Sequence, residues 1–462
     1  MTHLQHHDDQ VAPRERRREL RLGDHRALRD GPWWQSIPAW RDVDETTFFD
    51  HRWQLRNSPT TIVQLAELLG ERLDSTFLAD VREGFARAPM SMRVTPYVLS
   101  LVDWDDPTHD PIRRQFLPLG SEHEPSHPMA TLDSLAEQKD AAAPGLTHRY
   151  PDKVLLLATD VCPVNCRYCT RSYSVGTSTD SVDKLDFHAS RARYAQAFDY
   201  IRATSTVEDV VVSGGDTYLV APELLRHIGE ELLAIDHVRR IRLATKGLAM
   251  MPQKVLSDDA WVGVVAEMVQ RGREQGVQVC VHTHFNHPGE ITELTRRALD
   301  RLFQAGVIVR NQSVLLRGVN DTPEVMGLLI RRLAYINIQP YYVYIHDMVP
   351  GVETLRTTLS DAIELEKSVR GYTAGFMTPT FVCDAYGGGG KRDLHAYEYY
   401  DDKRGIAVYR SPVVDAERSF FYFDPLRSLE RPMRRAWEIP ELRERLIKAV
   451  VRCAEERREW AR

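Results

Sequence analysis

The stretch "KVLLLATDVCPVNCRYC", residues 153–169, decides the fold. After Lys153 it is apolar on both alternations as far as Ala158, the mark of a strand covered on both faces. Three of the chain's six cysteines, Cys162, Cys166 and Cys169, follow within eight positions, while Cys280, Cys383 and Cys453 are scattered. A buried strand thus hands over directly to a dense set of metal-binding side chains.

Working outward, the same rhythm recurs in "DVVVSG" (209–214), "RIRLAT" (240–245), "VQVCVHT" (277–283), "VIVRNQ" (307–312) and "PYYVYIHD" (340–347). Helical patterns such as "PELLRHIGEELLAI" (222–235) and "TELTRRALDRLFQAG" (292–306) separate most of them. Six such units predict a parallel sheet with covering helices, an α/β fold forming a partial or complete TIM-type barrel. Chemically able residues sit where the strands end: the cysteines, "SGGD" (213–216), "TKG" (245–247), "HTHFNH" (282–287), "NQ" (311–312), then Tyr344 and Asp347. In such barrels that face carries the active site, so an enzyme is expected.

The flanks read differently. Residues 1–145 are expected to be mainly helical and loop-like, with a helix in "TTIVQLAELLGERL" (60–73) and a polar connecting segment over 121–145. A barrel over 146–347 is then followed by a third region, 348–462. That region holds "TPTFVCDAYGGGGKRD" (378–393), tyrosine-rich strands and an amphipathic helix over 440–460. Leu442, Leu446, Ala449, Val450 and Cys453 are expected on that helix's buried face.

Composition narrows the classes. A 462-residue chain with 43% hydrophobic residues can build two or three structural units around a large core. A net charge of −6 argues against a nucleic-acid binder, and no apolar run approaches membrane-spanning length. The N-terminal stretch lacks the apolar centre of a signal peptide, and its arginines are interspersed with acids as in a solvated lead-in. So few cysteines make no disulfide framework, and a reducing cytoplasm is the natural setting.

The spacing Cys-x3-Cys-x2-Cys offers three thiolates. Structural zinc takes four ligands, and no second cysteine pair exists, although a histidine would complete such a site. Three thiolates suit a four-iron cluster with one iron left open. In "DAYGGGGKRD", Ala385 and Arg392 break the phosphate-loop pattern on either side of the glycines. Four consecutive glycines are costly to order, so beside a plain flexible loop stands a close approach of backbone to something bulky. Lys391 beside them suits a Schiff base with pyridoxal phosphate (PLP).

The cysteine spacing, with Tyr168 ahead of the third thiol, resembles the signature of radical S-adenosylmethionine (SAM) enzymes. In these, SAM chelates the open iron of a [4Fe-4S] cluster. Gly214, Gly215 and Asp216 resemble the superfamily's contact to the SAM amino group. Together with "DAYGGGGK" (384–391), the chain closely resembles the lysine 2,3-aminomutase family, radical SAM enzymes that also use PLP. "HRWQLRN" (51–57), "PGLTHRYPDKVLLLATDVC" (144–162), "THFNHPGEIT" (283–292) and "NQSVLLRGVND" (311–321) carry the likeness, which covers roughly residues 35–410.

The resemblance implies a partial (βα)6 barrel with a helical N-terminal region and a C-terminal PLP-binding extension. It implies an isomerase that moves the α-amino group of a cationic amino acid to the β-carbon, L-lysine to β-lysine first. A SAM-derived radical takes a β-hydrogen, and an imine on PLP lets nitrogen migrate. By the same resemblance Lys391 holds PLP, Tyr344 packs on its ring, and Arg149 binds its phosphate. Arg171 clamps the substrate carboxylate, Asp347 and Asp384 receive its terminal ammonium, and His284 and Gln312 lie near SAM and the cofactors. A flavodoxin- or ferredoxin-like electron donor and a homo-oligomer are expected.

Departures are visible too. Lys153 and Lys246 stand where relatives have arginine, keeping a charge for phosphate without the fork. The segment from Lys254 to Val277 is longer than usual, adding a helix, and Tyr386 replaces a common proline. Thr322 follows Asp321 where some relatives have a zinc-binding cysteine, so no structural zinc is expected. Other readings kept open are arginine as substrate, a protein-bound lysine as substrate, and a non-catalytic metal-binding scaffold.

Overall fold

The computed structural model describes residues 23–460. Most of the N-terminal lead-in lies outside the described residues. All six expected strands form: β3 (Lys153–Thr159), β4 (Asp209–Gly214), β5 (Arg240–Ala244), β6 (Gln278–Thr283), β7 (Ile308–Leu315) and β8 (Ile338–Ile345). They pair in parallel and in chain order. Ahead of them come β1 (Ala141–Ala143) and β2 (Leu146–Tyr150), antiparallel to one another and to β3.

The sheet does not stop at 347. A seventh parallel strand, β9 (Thr380–Ala385), adds beside β8, and β10 (Gly390–Asp393) returns antiparallel to it. The glycine run is therefore the turn of a hairpin in the barrel sheet, a ten-stranded sheet in sequential order. Gly387, Gly388 and Gly390 all adopt positive φ there, and a side chain on Gly389 would meet the Phe420 ring. The bulky neighbours expected of this run are thus, in part, the protein's own.

Helices lie where the periodicity placed them. Pro222–Leu233 buries Leu225, Ile228 and Leu232, and Glu293–Gln304 starts with reciprocal Thr292–Thr295 capping bonds. The added helix is Asp259–Glu274, capped by Asp258 accepting from the Trp261 amide at 3.1 Å. Their apolar faces and the strands form one continuous core, at about 25 cal/mol for each Å² of apolar surface removed from water.

The N-terminal region is built of short helices, including Ile62–Leu69, as expected. It fixes the cysteine loop: the Asn165 amide donates to Arg93 O at 2.9 Å, and the Arg167 amide to Gln115 O at 3.0 Å. At the other end β11 (Tyr397–Asp401), β12 (Ile406–Ser411) and β13 (Asp415–Phe423) form a separate antiparallel sheet. The helix Pro440–Trp460 packs there around Trp437, Val408 and Phe423. Its buried face is rotated from the expected one. Val450 and Ala454 are buried with Leu446, Ile447 and Val451 against them, whereas Leu442 is exposed and Cys453 only half-buried. No helix among the described residues is long and apolar enough to cross a membrane.

Candidate functional site

Parallel pairing brings the ends of β3 and β4 together, and the glycines make this possible. A β-carbon on Gly214 would overlap Thr159 O, and one on Gly215 would lie 2.5 Å from Val161 O. The Gly215 amide bonds Thr159 O at 2.5 Å, and the Asp216 amide bonds Val161 O at 2.9 Å. "SGGD" therefore seats the cysteine loop. The Asp216 carboxylate accepts from the amides of Lys246 and Tyr218, at 2.8 and 2.9 Å, and burial pushes it up to about 6. These bonds tie the loops after β4 and β5 into one wall.

Cys162, Cys166 and Cys169 are all half-buried and free. Burial raises all three thiols, Cys166 to about 12, so they ionise when a metal takes the proton's place. Each has a cation acting against that rise: Arg93 for Cys162, Lys246 for Cys166, and Arg171 with Lys184 for Cys169. Among the described residues no three His, Cys, Asp or Glu side chains converge as around one ion. A cubane needs no such convergence, because its cysteines bind different irons. The donor set fits an iron–sulfur cluster.

The hairpin of β9 and β10 sets Lys391 directly opposite Asp384, and their side chains meet at 3.2 Å. Asp384 and the Tyr344 ring, 5.6 Å from the ammonium, hold Lys391 protonated well above the usual lysine range. Its side chain is 36% exposed, so a small molecule can reach it. Tyr344 donates to Gln312 at 3.3 Å, and Gln312 in turn donates to His282 at 3.0 Å. The backbone amide of Lys391 donates to the Tyr150 hydroxyl at 2.9 Å, and Lys153 sits 4.1 Å over the same ring. A side chain on Gly388 would meet Arg149 Nε at 3.6 Å. The structure thus gathers Lys391, Tyr344, Arg149, Lys153 and the glycine turn. Amine, aromatic face and two cations, Arg149 ion-paired with Asp140 and Lys153 with Asp152, fit PLP.

Asp347, just past β8, accepts from the Thr170 hydroxyl at 2.6 Å, which joins it to the cysteine loop. Asp347 Oδ1 and Asp384 Oδ1 are both buried without a partner. They line a small cavity with Leu135, His346, Tyr386 and Tyr422. Burial first, then the charge of Asp384, pushes Asp347 up to about 7. His346, driven down to about 3 by burial, adds no charge; among the described residues Lys391 is ion-paired with Asp384, and Asp347 has no ion-pair partner. The cavity is short of a positive charge.

Arg171 is paired side-on with Glu137, at 2.8 and 2.9 Å, a partner absent from the sequence reading. Glu137 lies in the segment read as a mere connector. His284 meets the Tyr168 hydroxyl at 3.2 Å, on the cluster side. Lys246 lies there as well, donating to His284 O at 3.0 Å with Glu290 at 3.8 Å. Its charge also acts to lower the Cys166 thiol, so Lys246 stands on the cluster side. Tyr150 and Thr170 were also missed. Tyr150 stands inside a quoted motif and Thr170 directly after one, but a hydroxyl's partner is not written in its neighbours.

With this geometry in place, comparison with known proteins is informative. The family model of the radical SAM superfamily matches residues 156–329. The L-lysine 2,3-aminomutase of Clostridium subterminale is 42% identical over 354 residues, 76% of this chain and 79% of that protein. The L-lysine 2,3-aminomutase of Acetoanaerobium sticklandii is 39% identical over 353 residues, again 76% and 79%. The glutamate 2,3-aminomutase of Clostridioides difficile is 33% identical over 361 residues, 78% of this chain and 80% of that protein.

Proposed function

The chain belongs to the L-lysine 2,3-aminomutase family of radical SAM enzymes, and from that premise we propose that it converts L-lysine to β-lysine. The observation that carries the substrate is the pair of unpartnered buried carboxylate oxygens on Asp347 and Asp384. A terminal ammonium satisfies both and removes their repulsion. Glutamate would bring a further negative charge to a site already short of a positive one.

The other residues take matching roles. Cys162, Cys166 and Cys169 would hold the cluster, which with SAM would supply a carbon radical. Gly214 and Gly215 let the wall that Asp216 ties together close on that loop. Lys246 and His284 line the same side, and Lys246 offsets the cluster's negative charge. Lys391 would hold PLP, Arg149 and Lys153 would meet its phosphate, and Tyr344, steadied by Gln312, would support its ring; PLP when bound supplies the electron-accepting π-system. Arg171 receives the substrate carboxylate, for which a planar guanidinium is suited. Substrate ammonium at Asp384 also alters the charge that holds Lys391 protonated, so the acid serves both cations. A small flavodoxin- or ferredoxin-like protein would supply the electron.

The test is an anaerobic assay with reconstituted cluster, SAM, PLP and a chemical reductant. Lysine, arginine, glutamate and alanine are offered separately and the β-amino products resolved by mass. β-Lysine as the main product is the expected outcome. β-Arginine alone would keep the acidic pair's role and move the substrate. SAM cleavage without any β-amino product would overturn the reading.

A further inference from the structure

Arg171 is engaged along one edge only. Its Nε and Nη2 donate to Glu137 Oε2 and Oε1 at 2.9 and 2.8 Å, and its Nη1 has no hydrogen-bond partner among the described residues. Glu137 is itself held. Its side chain is 6% exposed, the Tyr173 hydroxyl donates to the same carboxylate at 2.8 Å, and the Asp133 carboxylate receives its backbone amide at 2.8 Å. The surrounding strap reaches the other half of the site. Ser134 O accepts from the Gly387 amide at 2.9 Å, Leu135 O accepts from Arg149, and Ala136 takes a left-handed φ of 54°.

We propose that Glu137 is a positioning residue for Arg171: it fixes the guanidinium plane and leaves the Nη1 edge for the carboxylate of the amino acid. The inference rests on the reading of the substrate as an α-amino acid. A long side chain that must be ordered on binding loses affinity, and a buried bidentate partner orders it beforehand. The rival role, a placeholder that the substrate carboxylate displaces, would require a carboxylate this buried and triply bonded to leave its place. Because the strap also bonds Gly387 and Arg149, it sets the carboxylate arginine and the glycine turn against one another.

The test uses cluster-loaded holoenzyme and two ligands differing only in the carboxylate: L-lysine as substrate and 1,5-diaminopentane as competitive inhibitor. Glu137→Gln should raise the lysine KM roughly tenfold or more while kcat changes less than about threefold. The inhibition constant of 1,5-diaminopentane should stay within about twofold. Tyr173→Phe, which removes one bond to Glu137 and no charge, should move the lysine KM the same way by a smaller factor. Equal losses for both ligands would show a merely structural role and overturn the inference. Tighter lysine binding in Glu137→Gln would also overturn it, in favour of the placeholder. If the wild type converts another amino acid instead, the substrate reading fails separately, and that acid with its decarboxylated amine makes the same comparison.

Discussion

Replacing Asp347 by asparagine separates what the acidic pair costs from what it does. Burial and the neighbouring Asp384 raise Asp347 from its ordinary 3.8 to about 7. That rise amounts to roughly 4 kcal/mol against the charged form. Below pH 3.8 the carboxyl is protonated folded and unfolded alike, and it contributes nothing. Between 3.8 and about 7 the unfolded chain has released the proton and the folded one retains it, so stability falls as pH rises. Above 7 the penalty is constant. Asparagine has the same shape and no such penalty.

For a chain of 462 residues the unfolding entropy is about 1 kcal/mol per degree. Ligand-free Asp347→Asn should therefore melt up to about 4 °C above the wild type at pH 8, with the gap closing towards pH 4. Lysine should reverse the order. It raises the melting temperature of the wild type, whereas the variant, left with one carboxylate for the ammonium, should show a lysine KM higher by about 30-fold. Anaerobic melting curves at pH 5 and 8, with and without lysine, check both halves. A variant that melts below the wild type at pH 8 and gains as much from lysine would refute the reasoning.

Four further outcomes follow. Thr170→Val removes the 2.6 Å bond that lowers Asp347, so the pH above which lysine kcat/KM reaches its plateau should move up by about one unit; an unmoved profile would count against the acid's role. Gly215→Ala places a β-carbon 2.5 Å from Val161 O and should cut bound iron per chain by at least about half. Gly263→Ala, with nothing within 4 Å inside the helix Asp259–Glu274, should keep its iron and gain about 1 kcal/mol. Lys391→Ala should abolish the visible absorbance of bound PLP and leave the iron–sulfur absorbance unchanged, and survival of both bands would remove Lys391 from its proposed role.

Much of the architecture was legible because it is local. A strand buried on both faces shows itself within seven residues, and six such runs with intervening helices already specify a parallel, barrel-like sheet. Cysteine spacing is local too, as is the glycine turn. The seventh parallel strand was not legible: "TPTFVC" is too short and too mixed to declare whether it joins the barrel or begins another unit. The helix face at 440–460 was misjudged because its partner, the β11–β13 sheet, chose which residues to bury.

By itself the sequence determined which chemistry is available: three thiols after β3, a lysine behind glycines, arginines and acids near strand ends. Only the tertiary structure decided which of these charges meet. Asp347 and Asp384 share a cavity because β8 and β9 are parallel neighbours, and Asp384 faces Lys391 because the hairpin register puts them opposite. Lys246 meets Glu290, and a connector supplied Glu137 to an arginine 34 positions away. The reason is range. Periodicity and turn chemistry act over a few residues, whereas an ion pair forms wherever the fold brings opposite charges within about 4 Å, at any sequence separation.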